Sequence, residues 1–265
     1  MGRVVRYELN ALRGRSTTVP FSDDVRIHAR KGGNSSGRAV FTRLPDWPEM
    51  LVWKDWLRPG DLFVDVGANA GLYTLIAAEA GAEVIAIEPA ADMVQLLTEN
   101  VRLNAFEQVR IHEVAVMDNV GQVSLRGPDA NRRVASPTDA GETRATTLDD
   151  LVGDAHVRGM KIDVEGNERL VLEGAPQLLS EGRVDLIQLE WNETSESALG
   201  EDRDPLASLL HDAGYRLFRF TESADLVAFD LGQTPRFGRD VFAARGSAAA
   251  MLTASVWRLS GSQSR

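Results

Sequence analysis

Four polar residues follow two apolar segments in the second half of the chain and could handle a proton. Asp163 and Glu165 follow the first segment, and Glu190 and Asn192 follow the second. Alternate residues of an extended strand share a face, so the two members of each pair are expected to point the same way. If the strands are neighbours, all four groups converge and can orient a substrate and accept its proton. We therefore predict that Asp163, Glu165, Glu190 and Asn192 are catalytic residues.

A divalent cation is the other chemistry that these groups allow. Carboxylate and amide oxygens are the ligands that Mg²⁺ prefers, and Asp163, Glu190 and Asn192 supply such oxygens. A bound cation would lower the pKa of a substrate hydroxyl group. The pattern also permits a structural role, in which one of the first two acids caps a helix that begins near Asn167 and Lys161 pairs with a carboxylate. Magnesium is not favoured, and proton transfer by the acids alone is the main prediction.

A glycine-containing turn, FVDVGANAGLYT at residues 63–74, is the feature that could bind a cofactor. A dinucleotide fingerprint that starts at Gly67 would need glycine at the positions of Asn69 and Leu72, and the Gly-Lys pair of a Walker A motif is missing. The turn is therefore not built for a pyrophosphate or a triphosphate. Asparagine tolerates the left-handed backbone conformation, so Asn69 is compatible with a tight turn.

The groups around this turn favour an adenosine ligand that carries an amino acid. Asp65 supplies an acceptor for an ammonium group, and the helix after Gly71 offers backbone N–H groups to a carboxylate. Glu88 lies roughly twenty residues past the glycines, where an acid usually binds ribose hydroxyls. Taken singly, the glycines could serve only the turn, and Glu88 could be only a helix cap. Together they favour S-adenosylmethionine, with the predicted contacts Asp65, Gly67, Ala68, Asn69, Gly71, Glu88, Pro89 and Ala115.

The elements that position these residues alternate between apolar strands and helices. LFVDVG, EVIAIEP and VRIHEVAV predict strands, AGLYTLIAAEAG and ADMVQLLTENVRLN predict the helices between them, and MKIDV and VDLIQLEW resume the alternation. This pattern predicts a parallel sheet that is covered by helices on both faces. YRLFRF and DVFAAR predict a late strand pair at one edge. Ligands bind beyond the carboxyl ends of such strands, where the turn and the acids both lie.

Four segments are predicted along the chain. VVRYEL and VRIHAR alternate like strands and WPEMLVWKDWL is typical of a helix, which predicts a small N-terminal α/β cap. The limits are a cap at 1–58, the main domain at 59–256 with an inserted hairpin and loop at 120–146, and a tail at 257–265.

Composition limits the partners. The 265 residues carry a formal net charge of -10, which disfavours a nucleic-acid partner. The chain has no cysteine, so a thiolate metal site or nucleophile is excluded. A signal peptide and an apolar run of membrane-spanning length are both missing, so a cytoplasmic protein without a membrane partner is expected. The oligomeric state is not predicted.

Four blocks of the chain resemble the FkbM family of S-adenosylmethionine-dependent methyltransferases. They are RPGDLFVDVGANAGLYTLIAA, VIAIEPA with NVRLN after it, TTLDDLV, and MKIDVEGNERLVLEGA, and they lie within residues 58–192. The resemblance implies a class I methyltransferase (Rossmann-like) fold with a seven-stranded, mostly parallel sheet and an antiparallel last pair. It also implies methyl transfer to a hydroxyl group of a small-molecule natural product or a sugar.

Other functions stay open at this point. A methyltransferase of the same fold could act on nucleic acid, or on a nitrogen or carboxyl acceptor, and a non-catalytic module could merely bind S-adenosylmethionine. An NAD-linked oxidoreductase is disfavoured by Asn69 and Leu72. Enzymes that methylate planar nitrogen commonly present [ND]-P-P-[YF] after the fourth strand, where this chain has D-V-E-G at residues 163–166. The two acids favour a hydroxyl acceptor.

Overall fold

The computed structural model describes residues 2–30, 34–127, 133–134, 142–191, 203–229 and 240–254, which form an α/β fold. Its strands are β1 (Thr17–Pro20), β2 (Arg26–Ala29), β3 (Leu62–Val66), β4 (Glu83–Ile87), β5 (Val109–His112), β6 (Ala115–Val116), β7 (Gly121–Val123), β8 (Leu125–Arg126), β9 (Arg133–Val134), β10 (Thr143–Thr146), β11 (Gly159–Ile162), β12 (Leu186–Leu189), β13 (Arg216–Phe220), β14 (Leu226–Phe229) and β15 (Val241–Ala244). Its helices are α1 (Gly2–Ala11), α2 (Asn34–Arg38), α3 (Trp47–Trp56), α4 (Leu72–Glu79), α5 (Ala91–Leu103), α6 (Leu148–Val152), α7 (Glu168–Glu173), α8 (Pro176–Ser180), α9 (Asp204–Asp212) and α10 (Gly246–Ala254).

Within the described residues, the central sheet has eight strands in the order β14-β13-β15-β12-β11-β3-β4-β5. The five strands from β12 to β5 are parallel neighbours, whereas β15, β13 and β14 join through antiparallel pairs. This arrangement confirms the predicted α/β class I methyltransferase fold. The predicted count of seven strands is wrong by one, because β14 was missed. Its four residues are apolar but lie at the sheet edge and are largely exposed, and so short a run does not by itself identify a strand.

Helices cover both faces of this sheet. Residues of β3 alternate between the two faces, with Phe63 in one hydrophobic cluster and Val64 and Val66 in the other. The first cluster contains residues of α3, α4, α5 and α10, and the second contains residues of α6, α7, α8 and α9. The strands β3, β4, β11 and β12 read as nearly continuous apolar runs because they are buried on both sides.

The N-terminal segment differs from its prediction in one element. VVRYEL lies in helix α1 and is not a strand, whereas VRIHAR contains β2 and pairs with β1. In α1, Tyr7 is buried and Asn10 donates to the Thr17 hydroxyl, while Val5 and Leu9 are exposed. Tyr7 and Asn10 lie three residues apart and face inward, as on one side of a helix. Over only six residues, such spacing is easily mistaken for the alternation of a strand. Tyr7, Val19 and other residues of this segment share one cluster with the sheet, and the domain limit at residue 58 stays a prediction.

One predicted strand and one predicted helix are each split into two elements in the structure. VRIHEVAV forms β5 in the central sheet and β6 in a separate sheet of order β6-β10-β7, and β8 and β9 pair with each other. NERLVLEGAPQLL forms α7 and α8 around Gly174, where a Cβ would come within 2.1 Å of the Met117 carbonyl oxygen. The insertion at 120–146 is described only in part, and the tail at 257–265 lies outside the described residues. Among the described helices, none combines the length and apolar character needed to cross a membrane.

Candidate active site

The glycine turn joins β3 to α4 through three residues with positive φ. Gly67 has φ 79°, Asn69 has φ 51° and Gly71 has φ 91°. The left-handed conformation expected for Asn69 is therefore observed, and its side-chain oxygen accepts a hydrogen bond from the Ala70 N–H at 2.7 Å. The N–H groups of Gly67 and Ala68 both donate to the Ile87 carbonyl oxygen at the end of β4. These bonds hold the turn across the carboxyl ends of two neighbouring strands.

Two glycines of the turn lie against other elements. A Cβ at Gly67 would come within 1.9 Å of the Asp163 carbonyl oxygen, and a Cβ at Gly71 within 2.4 Å of the Leu97 side chain. The turn therefore packs directly on the segment that follows β11 and on α5. A side chain at Gly67 would separate the turn from the predicted catalytic residues.

Glu88 at the end of β4 is bound to the glycine turn. Its two carboxylate oxygens accept hydrogen bonds from the backbone N–H groups of Asn69 and Ala90, both at 2.9 Å. The side chain is buried, and this burial raises the pKa of Glu88 to about 7. Each carboxylate oxygen has a second lone pair, so ribose hydroxyls could still donate to it. The role of Glu88 as a ribose ligand stays a prediction.

Asp65 is buried at the end of β3. Its carboxylate accepts a hydrogen bond from the Thr74 hydroxyl of α4 at 2.5 Å. Burial raises the pKa of Asp65 to about 6, against the hydrogen bond from Thr74, which lowers it. The bond anchors the first turn of α4, and ligand binding by Asp65 stays a prediction.

Asn100 of α5 was missed in the sequence as a residue that supports the turn. It is completely buried, donates to the Ala70 carbonyl oxygen at 2.8 Å and accepts from the His28 N–H of β2 at 2.8 Å. Asn104, one turn later, exchanges hydrogen bonds with the backbone of Arg26. The block NVRLN contains both asparagines, but only the fold brings β2 to their side chains.

Three of the four predicted catalytic residues lie together. Oxygen atoms of Asp163, Glu165 and Glu190 all lie within 4.8 Å of one another, and β11 and β12 are adjacent as expected. The argument from strand alternation was wrong for Glu165, because β11 ends at Ile162 and Glu165 has φ 55° in a turn. A turn, and not an extended strand, directs its carboxylate toward the others. Asn192 lies outside the described residues.

The surroundings of Glu190 act on its protonation. Burial and the nearby negative charges of Asp163 and Glu165 raise the pKa of Glu190 to about 10, although Lys161 opposes them. This shift favours the protonated form of Glu190, which can donate a hydrogen bond. A group of carboxylates at this spacing can also hold a divalent cation.

Glu168 shapes the loop that carries these acids. Its buried carboxylate accepts hydrogen bonds from the N–H groups of Gly166 at 3.0 Å and Val164 at 3.4 Å, and it forms an ion pair with Arg203 at 3.1 Å. Asn167 occupies the N-cap position of α7 without a side-chain cap bond. In the described loop, these bonds to backbone N–H groups thus go to Glu168, which follows the N-cap, whereas a cap by Asp163 or Glu165 was expected.

A buried polar network lies beneath the acids. The Lys161 ammonium is 1% exposed and forms ion pairs with Asp163 at 3.2 Å and Asp240 at 3.1 Å. Gln188 donates to Asp240 at 2.6 Å and to the Tyr73 hydroxyl at 2.9 Å, and accepts from the Trp53 indole at 2.5 Å. The pairing of Lys161 with a carboxylate was predicted. Asp240, Gln188 and Tyr73 were missed, because these residues are distant in sequence.

The last two predicted cofactor contacts lie in different surroundings. Pro89 is half-buried directly after Glu88. Ala115 is buried on β6, where it pairs with Ala145 of β10 in the small sheet and not in the central one. Both residues follow strands that end at the carboxyl edge of the central sheet. Their contact with a cofactor stays a prediction.

Comparisons with known proteins give one family. The model of the methyltransferase FkbM domain matches residues 65–217. No curated protein matches the chain.

Solved structures of low similarity also match. One is a precorrin-6y C5,15-methyltransferase from Geobacter metallireducens (14% identity, TM-score 0.43, 74% of this chain and 87% of that chain). Others are an rRNA methylase from Streptococcus thermophilus (13%, TM-score 0.42, 74% and 93%) and an S-adenosylmethionine-dependent O-methyltransferase from Thermotoga maritima (12%, TM-score 0.43, 76% and 65%). At such low sequence identities and TM-scores, these structures carry no information about which molecule accepts the methyl group. Because the family model covers more than half of the 265 residues, the chain belongs to the FkbM family of S-adenosylmethionine-dependent methyltransferases.

Proposed function

We propose that this protein transfers the methyl group of S-adenosylmethionine to a hydroxyl group of a small-molecule natural product or a sugar. The observation that carries the proposal is the meeting of Asp163, Glu165 and Glu190 at the carboxyl edge of the sheet, where the Asp163 backbone lies directly against Gly67 of the glycine turn. An alkyl hydroxyl is a weak acid, so its methylation benefits from a nearby base.

The reaction is an in-line displacement at the methyl carbon. The acceptor oxygen forms a bond to this carbon as the bond to sulfur breaks, and the hydroxyl proton passes to a carboxylate. The enzyme has to hold the two reacting atoms about 3 Å apart and in line, which removes much of the entropic barrier. A short connection between the cofactor turn and the acids suits this demand, since the backbone of Asp163 contacts Gly67.

The acids have different roles in the proposal. Asp163 is the base, because the Lys161 ammonium at 3.2 Å fixes its carboxylate and its backbone contacts Gly67 of the cofactor turn. The surroundings of Glu190 favour its protonated form, which donates a hydrogen bond that orients the acceptor oxygen. Glu165 is the third acid that faces the acceptor, and Asn192 would add an amide group beside it. Magnesium has no part in this mechanism.

Cofactor contacts are assigned to the turn. Asp65 and the backbone after Gly71 would bind the amino acid end of S-adenosylmethionine, and Glu88 would accept from its ribose hydroxyls. Gly67, Ala68, Asn69, Pro89 and Ala115 would form the walls around the ligand. A nucleic-acid acceptor is disfavoured, because a net charge of -10 and the acid cluster both repel phosphate groups.

The test is an assay of methyl transfer to a panel of phenols, alcohols and sugars. Each hydroxyl compound is paired with its O-methyl ether and with the matching amine, and S-adenosylhomocysteine and methylated product are both measured. We expect turnover of at least one hydroxyl compound and none of its ether. Turnover of amines or of RNA, with every hydroxyl compound inert, would refute the O-methyltransferase proposal.

A further inference from the structure

Lys161 is a buried cation in the middle of the acid cluster. It lies on the central strand β11, and its ammonium group bridges Asp163 of the cluster and Asp240 at the start of β15. The aromatic ring of Tyr73 lies 5.3 Å from the same nitrogen. Lysine is almost never fully buried unless it is paired, because removing an ammonium group from water is unfavourable.

The partners of Lys161 are themselves held in place. Asp240 accepts a hydrogen bond from Gln188, which also bonds to Tyr73 and Trp53. Hydrogen bonds thus link Trp53 of α3 and Tyr73 of α4 through Gln188 of β12 to Asp240, which pairs with the ammonium. The ammonium also pairs with Asp163, so this network connects to the proposed base.

We propose that the Lys161 ammonium is the built-in cation of this active site, holding Asp163 in position and taking the place that a divalent metal ion would otherwise occupy. Lys161 is thus a positioning residue, and methyl transfer does not require a metal. The inference rests on the proposed hydroxyl methylation for its activity measurement only. Its metal-binding measurement needs neither an acceptor nor turnover.

Electrostatic repulsion explains why the Lys161 ammonium would exclude a divalent metal ion from the acid cluster. A divalent ion bound by Asp163, Glu165 and Glu190 would share a carboxylate with the ammonium and lie close to it, and like charges in a buried site repel strongly. The ammonium is a compact charge with three donors, and two carboxylates already surround it. The ion pairs with Asp163 at 3.2 Å and Asp240 at 3.1 Å favour the charged form of Lys161 within this buried site.

Electron paramagnetic resonance of Mn²⁺ tests the metal part of the proposal. We expect the wild-type protein to bind no Mn²⁺ at this cluster, and we expect Lys161→Met to gain one site that the further change Asp163→Asn removes. Mn²⁺ binding by the wild type that Asp163→Asn abolishes would overturn the proposal. A folded Lys161→Met protein that gains no Mn²⁺ site would overturn it as well.

Turnover tests the positioning part. Lys161→Met is expected to lower kcat at least tenfold with little change in affinity for S-adenosylhomocysteine, and in Lys161→Ala, which opens a cavity, added propylammonium is expected to restore part of kcat. Unchanged kcat in Lys161→Met, or a loss in a folded Lys161→Ala that no alkylammonium restores, would count against a positioning role. Lys161→Gln serves if the methionine variant does not fold. If no compound of the panel is methylated, kcat cannot be measured, but the Mn²⁺ measurement still tests the proposal.

Lys54→Met is the matched control. Lys54 also bridges two carboxylates, those of Asp23 at 2.7 Å and Glu79 at 3.1 Å, but it lies on α3 away from the acid cluster. This variant is expected to lose some stability, to keep kcat and to gain no Mn²⁺ site. The comparison separates loss of a bridging lysine in general from loss of the cation at the active site.

Discussion

The backbone of Gly67 lies against the carbonyl oxygen of Asp163, so that a methyl group at Gly67 would come within 1.9 Å of that oxygen. Gly67 belongs to the turn predicted to bind the cofactor, and Asp163 is the proposed base. The N–H of Asp163 also donates to the Val66 carbonyl oxygen, one residue before the turn. A displacement of the glycine turn would therefore displace the segment that carries Asp163, and the reverse also holds.

Gly67→Ala is expected to destabilise the protein by about 2–5 kcal/mol, since it combines the strain of a positive φ with a steric overlap. Urea unfolding measures this loss. The control is Gly60→Ala, because Gly60 has φ 85° but open space around its Cα. The control is expected to lose only about 1–2 kcal/mol, from the backbone strain. Equal losses in the two variants would show that the contact with Asp163 is unimportant.

Glu88 is expected to make stability depend on pH. Its pKa is about 7 in the folded protein and 4.5 as the reference value, so the folded state binds more protons between these pH values. Stability should therefore fall as the pH rises from 4.5 to 7, by on the order of 3 kcal/mol from this group. Asp65, with a pKa raised to about 6, acts in the same direction at lower pH.

Urea unfolding at pH 5 and pH 8 checks the contribution of Glu88. In Glu88→Gln the difference between the two pH values is expected to shrink, whereas the exposed Glu107→Gln should retain it. An unchanged difference in Glu88→Gln would mean that Glu88 does not titrate in this range. Affinity for S-adenosylhomocysteine, measured by calorimetry, is expected to rise with pH in the wild type, since the ionised carboxylate is the better acceptor for ribose hydroxyls.

Asp163→Asn is expected to lower kcat by a factor of about 10²–10⁴, the usual contribution of a general base. The affinity for S-adenosylhomocysteine should change little, because the side chain is assigned to the acceptor. Steady-state kinetics and calorimetry separate the two effects. Glu173→Gln, which alters a solvent-accessible acid on α7, is the control and should leave both values unchanged. Survival of kcat in Asp163→Asn would move the base to another residue.

Asn100→Ala is expected to weaken both the fold and the binding of S-adenosylhomocysteine. The change leaves the Ala70 carbonyl oxygen and the His28 N–H without their buried partner, at a cost of about 1–3 kcal/mol for each group. Asn104→Ala is the matched control, since Asn104 contacts β2 but not the glycine turn. Calorimetry should find weaker ligand binding only in Asn100→Ala; equal weakening in both would assign the effect to β2.

Local features of the site followed from nearby residues. The turn at residues 67–71 was predictable because glycine and asparagine are the residues that accept positive φ at a strand end, and Asn69 adopts it. The meeting of Asp163 and Glu190 followed from the alternation of apolar strands and helices, which predicts adjacent parallel strands. Glu165 reached the same cluster by a left-handed turn that alternation did not predict.

The amino-acid sequence by itself determined the family, the parallel half of the sheet, and the edge at which the turn and the acids meet. Their chemistry lies in short segments whose backbone preferences are local. Only the tertiary structure decided that Lys161 pairs with Asp240 and that Asn100 joins the glycine turn to β2. These contacts depend on the antiparallel insertion of β15 beside β12 and on the packing of β2 against α5, which no local preference specifies.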